Sequence, residues 1–386
     1  MAAPTLRVPL GLSRSPARDL AAPWRHVDLL LVGGVMAITG MGLLMIYSAT
    51  RNQQAVTAIG GSYYLKRQAI YVGIGLVVMV AVALVDYRSF QDLAPAIYVV
   101  TVAVLLLVLS PLGSTERGTQ AWFSFGNFQL EPSEFAKGAL IICLSAYIAT
   151  HRSDLDGARV ATTIGLVALP MALIYMQPDF GTAMVFVGIV LALLLVGGAS
   201  LRHLAVLALI GAVGIGAVFQ LGVLKRYQVE RLSAFLEPES DTQRSTYNLR
   251  QSQIAIAAGG VSGRGVFQGS QTNLSFVPEQ HTDFIFTAVG EELGFVGAAT
   301  LLALFALVVW RTWRTAVLAR DRFGSLLCVG VLAMLAVQIF ENVGMTMGIT
   351  PIAGIPLPFM SYGGSSIVAA FIAIGLVLNV HMRRFS

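Results

Sequence analysis

The residue best placed to do chemistry in this sequence is an acid, Asp283. It sits in PEQHTDFIF (Pro278–Phe286), where a long polar stretch gives way to an apolar block. A carboxylate there can cap a helix, or it can act as a general base in a partly desolvated cleft. Spacing alone leaves those two readings even. Glu134 and Lys137 stand three residues apart in EPSEFAK (Glu131–Lys137) and meet on one face of any helix that runs through them. As a plain ion pair they neutralise each other; as a site, Lys137 offers a cation to a phosphate-bearing lipid head group and Glu134 positions it. Asp179 lies in QPDFGT (Gln177–Thr182), a turn between two apolar blocks where capping is again the ordinary reading. Glu341 and Asn342 interrupt an apolar block and are expected to face the bundle interior, in interhelical hydrogen bonds.

The elements that must hold these groups follow from composition. Hydrophobic residues make up 56% of the 386 and charged residues only 12%, more apolar side chain than a soluble core can hide. The apolar residues fall into blocks of membrane-spanning length, beginning near Val27, Ala69, Pro95, Phe135, Val160, Phe180, Leu204, Phe284, Gly324 and Ser366. The expected fold class is therefore an all-α polytopic membrane protein of about ten transmembrane helices. Its one long extracytoplasmic loop, about residues 225–283, joins the seventh helix to the eighth.

Residues 1–26 form a polar tail with Arg7, Arg14, Arg18 and Arg25 and no cleavage signal, so the block that follows is a retained span. Residues 27–381 make a single transmembrane domain, and 382–386 a second tail. Placing the N-terminus in the cytoplasm gathers Arg88, Arg152, Arg202, Arg311, Arg314 and Arg320 on the same side, with both termini inside. The net charge of +5 thus reflects topology and gives no sign of a nucleic-acid partner. Cys143 and Cys328 fall in apolar blocks and read as small core residues.

Two outward segments are more than connectors. Gly113–Ser133, with Trp122, Phe123, Phe125 and Phe128, suits an element lying in the membrane interface. In the long loop, Tyr247–Ala258 predicts an amphipathic helix with Leu249, Ile254 and Ile256 on its apolar side. It is followed by GGVSGRG (Gly259–Gly265), a flexible or tightly turned stretch. That glycine run lacks the Lys-Ser/Thr ending of a phosphate loop, and the histidines show no metal-ligand spacing. Pro351–Ser366 is too broken by Pro and Gly for a regular helix and reads as a re-entrant or cavity-lining segment.

Taken in order, WFSFGNFQLEPSEFAK (Trp122–Lys137), QPDFGT, YNLRQSQIAIAAGG (Tyr247–Gly260), PEQHTDFIFTAVGEELG (Pro278–Gly294) and PIAGIPLPFMSYGGSS (Pro351–Ser366) resemble the SEDS family. These are the bacterial peptidoglycan glycosyltransferases of shape, elongation, division and sporulation. The segment GSQTNLSFVPE (Gly269–Glu279) and the short tail look more like the elongation type, RodA, than the division type, FtsW. The resemblance implies polymerisation of lipid II into β-1,4-linked glycan at the outer face of the cytoplasmic membrane, with release of undecaprenyl pyrophosphate. It also implies a class B penicillin-binding protein as partner, and a divalent cation, Mg or Mn, as the one cofactor to consider.

Asp283 matches the family's essential acid and becomes the candidate base. Glu134 and Lys137 match its conserved pair, and Asp179 its acid in the QPD turn. Lys137 is the candidate for the pyrophosphate, with Arg231 in the loop beside it. Gln251, Ser252, Asn342 and Ser361, in the matched segments, are further expected substrate contacts. Ala121 stands where the family often has Arg, and Glu131 where Gln is common. The competing class is a transporter, a lipid II flippase, which would place its binding groups nearer the midplane.

Overall fold

The computed structural model describes residues 26–51, 62–116, 119–126, 128–151, 155–220 and 244–384. Unbroken apolar stretches cannot leave backbone groups open in lipid, so they close their hydrogen bonds within helices. Ten apolar helices form where the ten blocks begin. They are α1 (Leu29–Thr50), α2 (Tyr63–Leu84), α4 (Ala94–Val108), α5 (Pro132–Thr150), α6 (Gly157–Met176), α7 (Phe180–Val196), α8 (Leu201–Gln220), α11 (Ile285–Val317), α12 (Arg322–Met347) and α13 (Gly364–Met382). Seven are long and apolar enough to cross a membrane; α4, α7 and the described part of α8 are shorter. A short helix α3 (Tyr87–Asp92) links α2 to α4.

The most enclosed helix is α13, with 78% of its apolar window buried against 33% for α2. The two nevertheless pack closely. Gly75 and Gly375 bring the backbones together, since a Cβ at Gly75 would enter the Phe371 ring and one at Gly375 would lie 2.8 Å from the Met79 carbonyl. Cys143 and Cys328 are free thiols in this core, as their apolar setting suggests. At the end remote from the long loop, Arg311 donates to Asp28 at 2.8 Å and ties α11 to the start of α1.

The helices do not account for everything. Gly113–Ser133, expected only as an interfacial element, contains a three-stranded antiparallel sheet of β1 (Ser114–Glu116), β2 (Thr119–Phe125) and β3 (Phe128–Leu130). In β2 the buried Ala121 and Phe123 alternate with the part-exposed Trp122 and the exposed Ser124, the period of two of a pleated strand. The fold is thus all-α with one small sheet.

In the long loop, α9 (Arg244–Gly259) and the single turn α10 (Ser270–Asn273) are helical. The predicted amphipathic helix exists, but its buried side carries Leu249, Ser252 and Ala255, while Ile254 is exposed. The reason is what α9 covers: the C-terminal turn of α12 presents open carbonyls, and Ser252 Oγ donates to Thr346 O at 2.6 Å. The glycine run is tightly turned. Its backbone pairs with a break in α11 at Gly294, whose φ is 64°. Phe295 N donates to Gly260 O at 2.9 Å and Val296 N to Val261 O at 3.1 Å; Arg264 N and Gly265 N donate in return to Glu291 O and Glu292 O, each at 3.0 Å. A Cβ on Gly263, at φ 79°, would strike the Glu292 carbonyl, so this ladder needs glycine there.

Candidate functional site

One cavity of about 700 Å³ opens at the end of the bundle that carries the sheet. Its walls come from the start of α2, from β2, from the first turn of α5, from the turn between α6 and α7, and from the irregular backbone of Ala353–Pro356. The segment from Glu279 to Asp283 closes it.

That closing segment is held by hydrogen bonds along its whole length. Glu279 takes a left-handed φ of 54°, a strained conformation for a side chain of its size, and its carbonyl accepts from Thr282 N at 3.1 Å. The Gln280 amide donates to Thr272 Oγ1 and to Thr287 Oγ1, both at 3.0 Å. His281 O accepts from Tyr362 N at 2.9 Å. Asp283 O accepts from Asn342 Nδ2 at 2.8 Å, and the same amide donates to Ile355 O at 2.7 Å. Asp283 itself is half-buried and lines the cavity. Phe284, not Asp283, takes the N-cap position of α11, and no side chain caps there.

The opposite wall is acidic. Lys137 Nζ meets Glu134 Oε1 at 2.6 Å, both side chains almost wholly buried. Asp179 caps α7, accepting from Thr182 N at 3.0 Å, which is the ordinary role its turn suggests. Its second oxygen is buried with no hydrogen-bond partner among the described residues. Glu131 accepts from the Trp122 indole at 3.2 Å and from Ser133 Oγ at 3.0 Å, while its backbone N–H donates to Ser365 Oγ at 2.8 Å. Burial, then the charges of Glu134 and Asp179, push its carboxyl up to about 8; the Ser133 hydrogen bond and Lys137 only partly oppose this.

The remaining wall is aromatic and carries a cation. Arg67 donates to Tyr63 Oη at 2.7 Å and Tyr71 Oη at 3.2 Å, and stacks over both rings. Among the described residues no carboxylate lies within ion-pair distance of it. Tyr64, His281 and Tyr362 cluster beside it, with ring centroids 4.8 to 5.6 Å apart. Burial pushes the Tyr362 phenol up to about 12, so it stays a neutral donor.

Of the residues predicted from sequence, Asp283, Glu134, Lys137 and Asp179 line this cavity together. Gln251 and Ser252 do not: both lie on α9, and Ser252 spends its hydroxyl on the end of α12. Asn342 is fully buried behind the wall, holding Asp283 and Ile355 by their carbonyls. Ser361 is buried too, its Oγ accepting from Leu357 N at 2.9 Å inside the irregular segment. Arg231 lies outside the described residues.

Arg67, Glu279, Tyr64, His281 and Tyr362 went unmarked as site residues in the sequence. Arg67 reads there as an ordinary flanking charge before an apolar block. The positive charge of QAIYVG's neighbour gives no hint that two tyrosines one turn away will aim it inward. Among the described residues, no three His, Cys, Asp or Glu side chains converge as metal ligands. Glu131, Glu134 and Asp179 share a wall; their oxygens bond Trp122, Ser133, Lys137 and the α7 cap, except Asp179 Oδ2, which has no partner among the described residues. No dedicated ligand set for the divalent cation implied by the resemblance is present among the described residues.

Residues 28–385 match the family model described as FtsW/RodA/SpoVE, cell cycle protein. The chain is 36% identical over 357 residues to stage V sporulation protein E of Bacillus subtilis, covering 92% of this chain and 96% of that one. It is 33% identical over 359 residues to the peptidoglycan glycosyltransferase MrdB of Escherichia coli K12, covering 93% and 94%. Among solved structures it resembles a chain of a peptidoglycan synthase complex that coordinates polymerization and crosslinking. The TM-score there is 0.80, at 31% identity, covering 94% of this chain and all of that one.

Proposed function

The chain belongs to the FtsW/RodA/SpoVE family, a peptidoglycan glycosyltransferase family of multi-pass membrane proteins, and from that premise we propose that it polymerises lipid II, with Asp283 as the general base. The observation that carries this reading is the cavity itself. It joins an acid on a rigidly held segment, a cation with no paired carboxylate among the described residues, and a cluster of aromatic rings at one end of the bundle. We place that end at the outer leaflet and both termini in the cytoplasm, on the distribution of arginines between loops.

Glycosyl transfer from a pyrophosphate-linked sugar needs a proton removed from the acceptor hydroxyl as it attacks the anomeric carbon. It also needs positive charge where the leaving pyrophosphate gathers negative charge. The Asp283 carboxylate takes the proton. Lys137 was the sequence candidate for the leaving group, but it is matched by Glu134 at 2.6 Å and neighboured by Asp179 and Glu131. That wall offers an anion little. Arg67, bonded only to neutral phenols in the cavity, is the better counter-charge, and its planar fork suits phosphate oxygens. The ring cluster of Tyr64, His281 and Tyr362 suits the flat apolar faces of sugars.

The elongation role rests on the GSQTNLSFVPE segment, since relatives named stage V sporulation protein E, FtsW and MrdB stand at 36%, 35% and 33% identity. A class B penicillin-binding protein is the partner we infer, in line with the synthase complex to which the fold is similar. The test is glycan polymerisation by the purified protein with such a transpeptidase, given lipid II, for wild type and Asp283→Asn. Wild type should yield polymer and the variant none. Equal polymer from both removes Asp283 from the chemistry; no polymer from either, with lipid II still crossing vesicle membranes, makes the protein a transporter.

A further inference from the structure

Two adjacent acids, Glu291 and Glu292, lie fully buried in α11, two turns beyond Asp283 and away from the cavity. A buried carboxylate is costly unless donors surround it. Glu291 is surrounded. It accepts from Gln271 N at 2.8 Å, Thr272 N at 2.9 Å, Thr272 Oγ1 at 2.7 Å and Ser270 Oγ at 3.4 Å. All four donors belong to the single turn α10, so this acid fastens the loop to α11.

The fastening does not stop at Thr272. The same hydroxyl accepts from the Gln280 amide at 3.0 Å, and that amide reaches on to Thr287. Gln280 lies one residue after strained Glu279 and three before Asp283. Glu292 braces the other side: Ser48 Oγ at the end of α1 donates to it at 2.5 Å. Next to Ser48, Arg51 donates to Phe267 O at 2.5 Å and to Asn273 Oδ1 at 3.3 Å. The turn is therefore gripped from α11 and from α1, and the Gln280 amide links its Thr272 to the catalytic segment.

We propose that Glu291 is a positioning residue for glycosyl transfer, its buried carboxylate setting the place of Asp283 through Thr272 and Gln280. The role requires a pure acceptor. A carboxylate meets two backbone N–H groups and a hydroxyl with lone pairs only, whereas glutamine would turn an NH₂ donor toward those same donors. The inference rests on Asp283 being the base, and the experiment separates the two.

The full-length protein with its transpeptidase is assayed on lipid II as wild type, Glu291→Gln, Thr272→Val, Thr272→Ser and Asp283→Asn, each with a thermal melt. A positioning role predicts that Glu291→Gln and Thr272→Val lower kcat about tenfold or more while KM stays within about twofold. Thr272→Ser, which keeps the hydroxyl, restores the rate. Thr272→Val decides the matter if Glu291→Gln fails to fold. Lower melting temperature with unchanged turnover per folded molecule would show a scaffold role and overturn the proposal, as would unchanged turnover and melting. Inactive Asp283→Asn beside a fully active Thr272→Val sinks the positioning role alone; an active Asp283→Asn sinks the base assignment and the positioning role with it.

Discussion

Glu131 ties the cavity's electrostatics to pH. Its carboxyl is pushed up to about 8, first by burial and then by Glu134 and Asp179. A raised carboxylate pKa means the proton is kept through neutrality and the charge appears only above it. With the midpoint at about 8, about one molecule in ten is ionised at pH 7 and about nine in ten at pH 9. Each ionisation adds a negative charge to a wall that already holds Glu134 and Asp179, inside a cavity that must accept a pyrophosphate. At a separation of roughly 7 Å and an effective dielectric near 20, like unit charges repel by about 2 kcal/mol, roughly 30-fold in affinity. The expected result is a KM for lipid II that rises steeply between about pH 7 and pH 9 in wild type. In Glu131→Gln, which cannot ionise and leaves the same shape, it should stay flat. The assay is initial polymerisation rate against lipid II concentration across that pH range. Superimposable profiles for the two proteins would refute the charge argument.

Three further outcomes follow from the geometry. Replacing Arg67 with Leu should raise KM for lipid II about 10- to 100-fold, the loss of charge-assisted phosphate contacts, with Lys only partly restoring it; an unchanged KM would return the leaving group to Lys137. Asn342→Leu strips a donor from Asp283 O and Ile355 O, at about 1–3 kcal/mol for each orphaned carbonyl. It should depress melting temperature and turnover together, and turnover lost without any change in melting would point instead to a direct substrate contact. Gly263→Ala forces a Cβ onto the Glu292 carbonyl at a positive φ. It should cost more than about 2 kcal/mol by thermal or denaturant unfolding in detergent, and a wild-type melt would contradict the ladder described above.

The ten apolar helices are legible in the sequence because lipid imposes one rule on every span, and that rule acts on length and hydrophobicity. Asp283, Glu134, Lys137 and Asp179 are legible for the opposite reason: charges next to apolar blocks are conspicuous. What stayed hidden depends on distant contacts. Ser252 looks like a polar face of an amphipathic helix until the open end of α12 is laid against it. Asn342 is legible as a hydrogen-bonding residue of the bundle interior, but not as the point where two backbone carbonyls from separate segments converge. The sheet in Gly113–Ser133 is short, and its aromatic residues fit an interfacial helix as readily as a ribbon. Arg67 needed Tyr63 and Tyr71 to fix its direction, and no local pattern states which way an arginine will turn.

The break in α11 bears on how the protein is made. Gly294 lies about ten residues into that helix, roughly 15 Å along its axis. There the N–H groups of Phe295 and Val296 take their acceptors from Gly260 and Val261 instead of from the preceding turn. Threaded into lipid alone, α11 would carry two bare donors at a depth with no water, each costing several kcal/mol. The acceptors lie in chain synthesised just before the helix emerges. In the folded chain, the docked glycine run supplies the acceptors that the broken α11 needs at that depth. A chain altered in Gly259–Gly265 should assemble in lower yield, and the fraction that does assemble should melt below wild type, as expected above for Gly263→Ala.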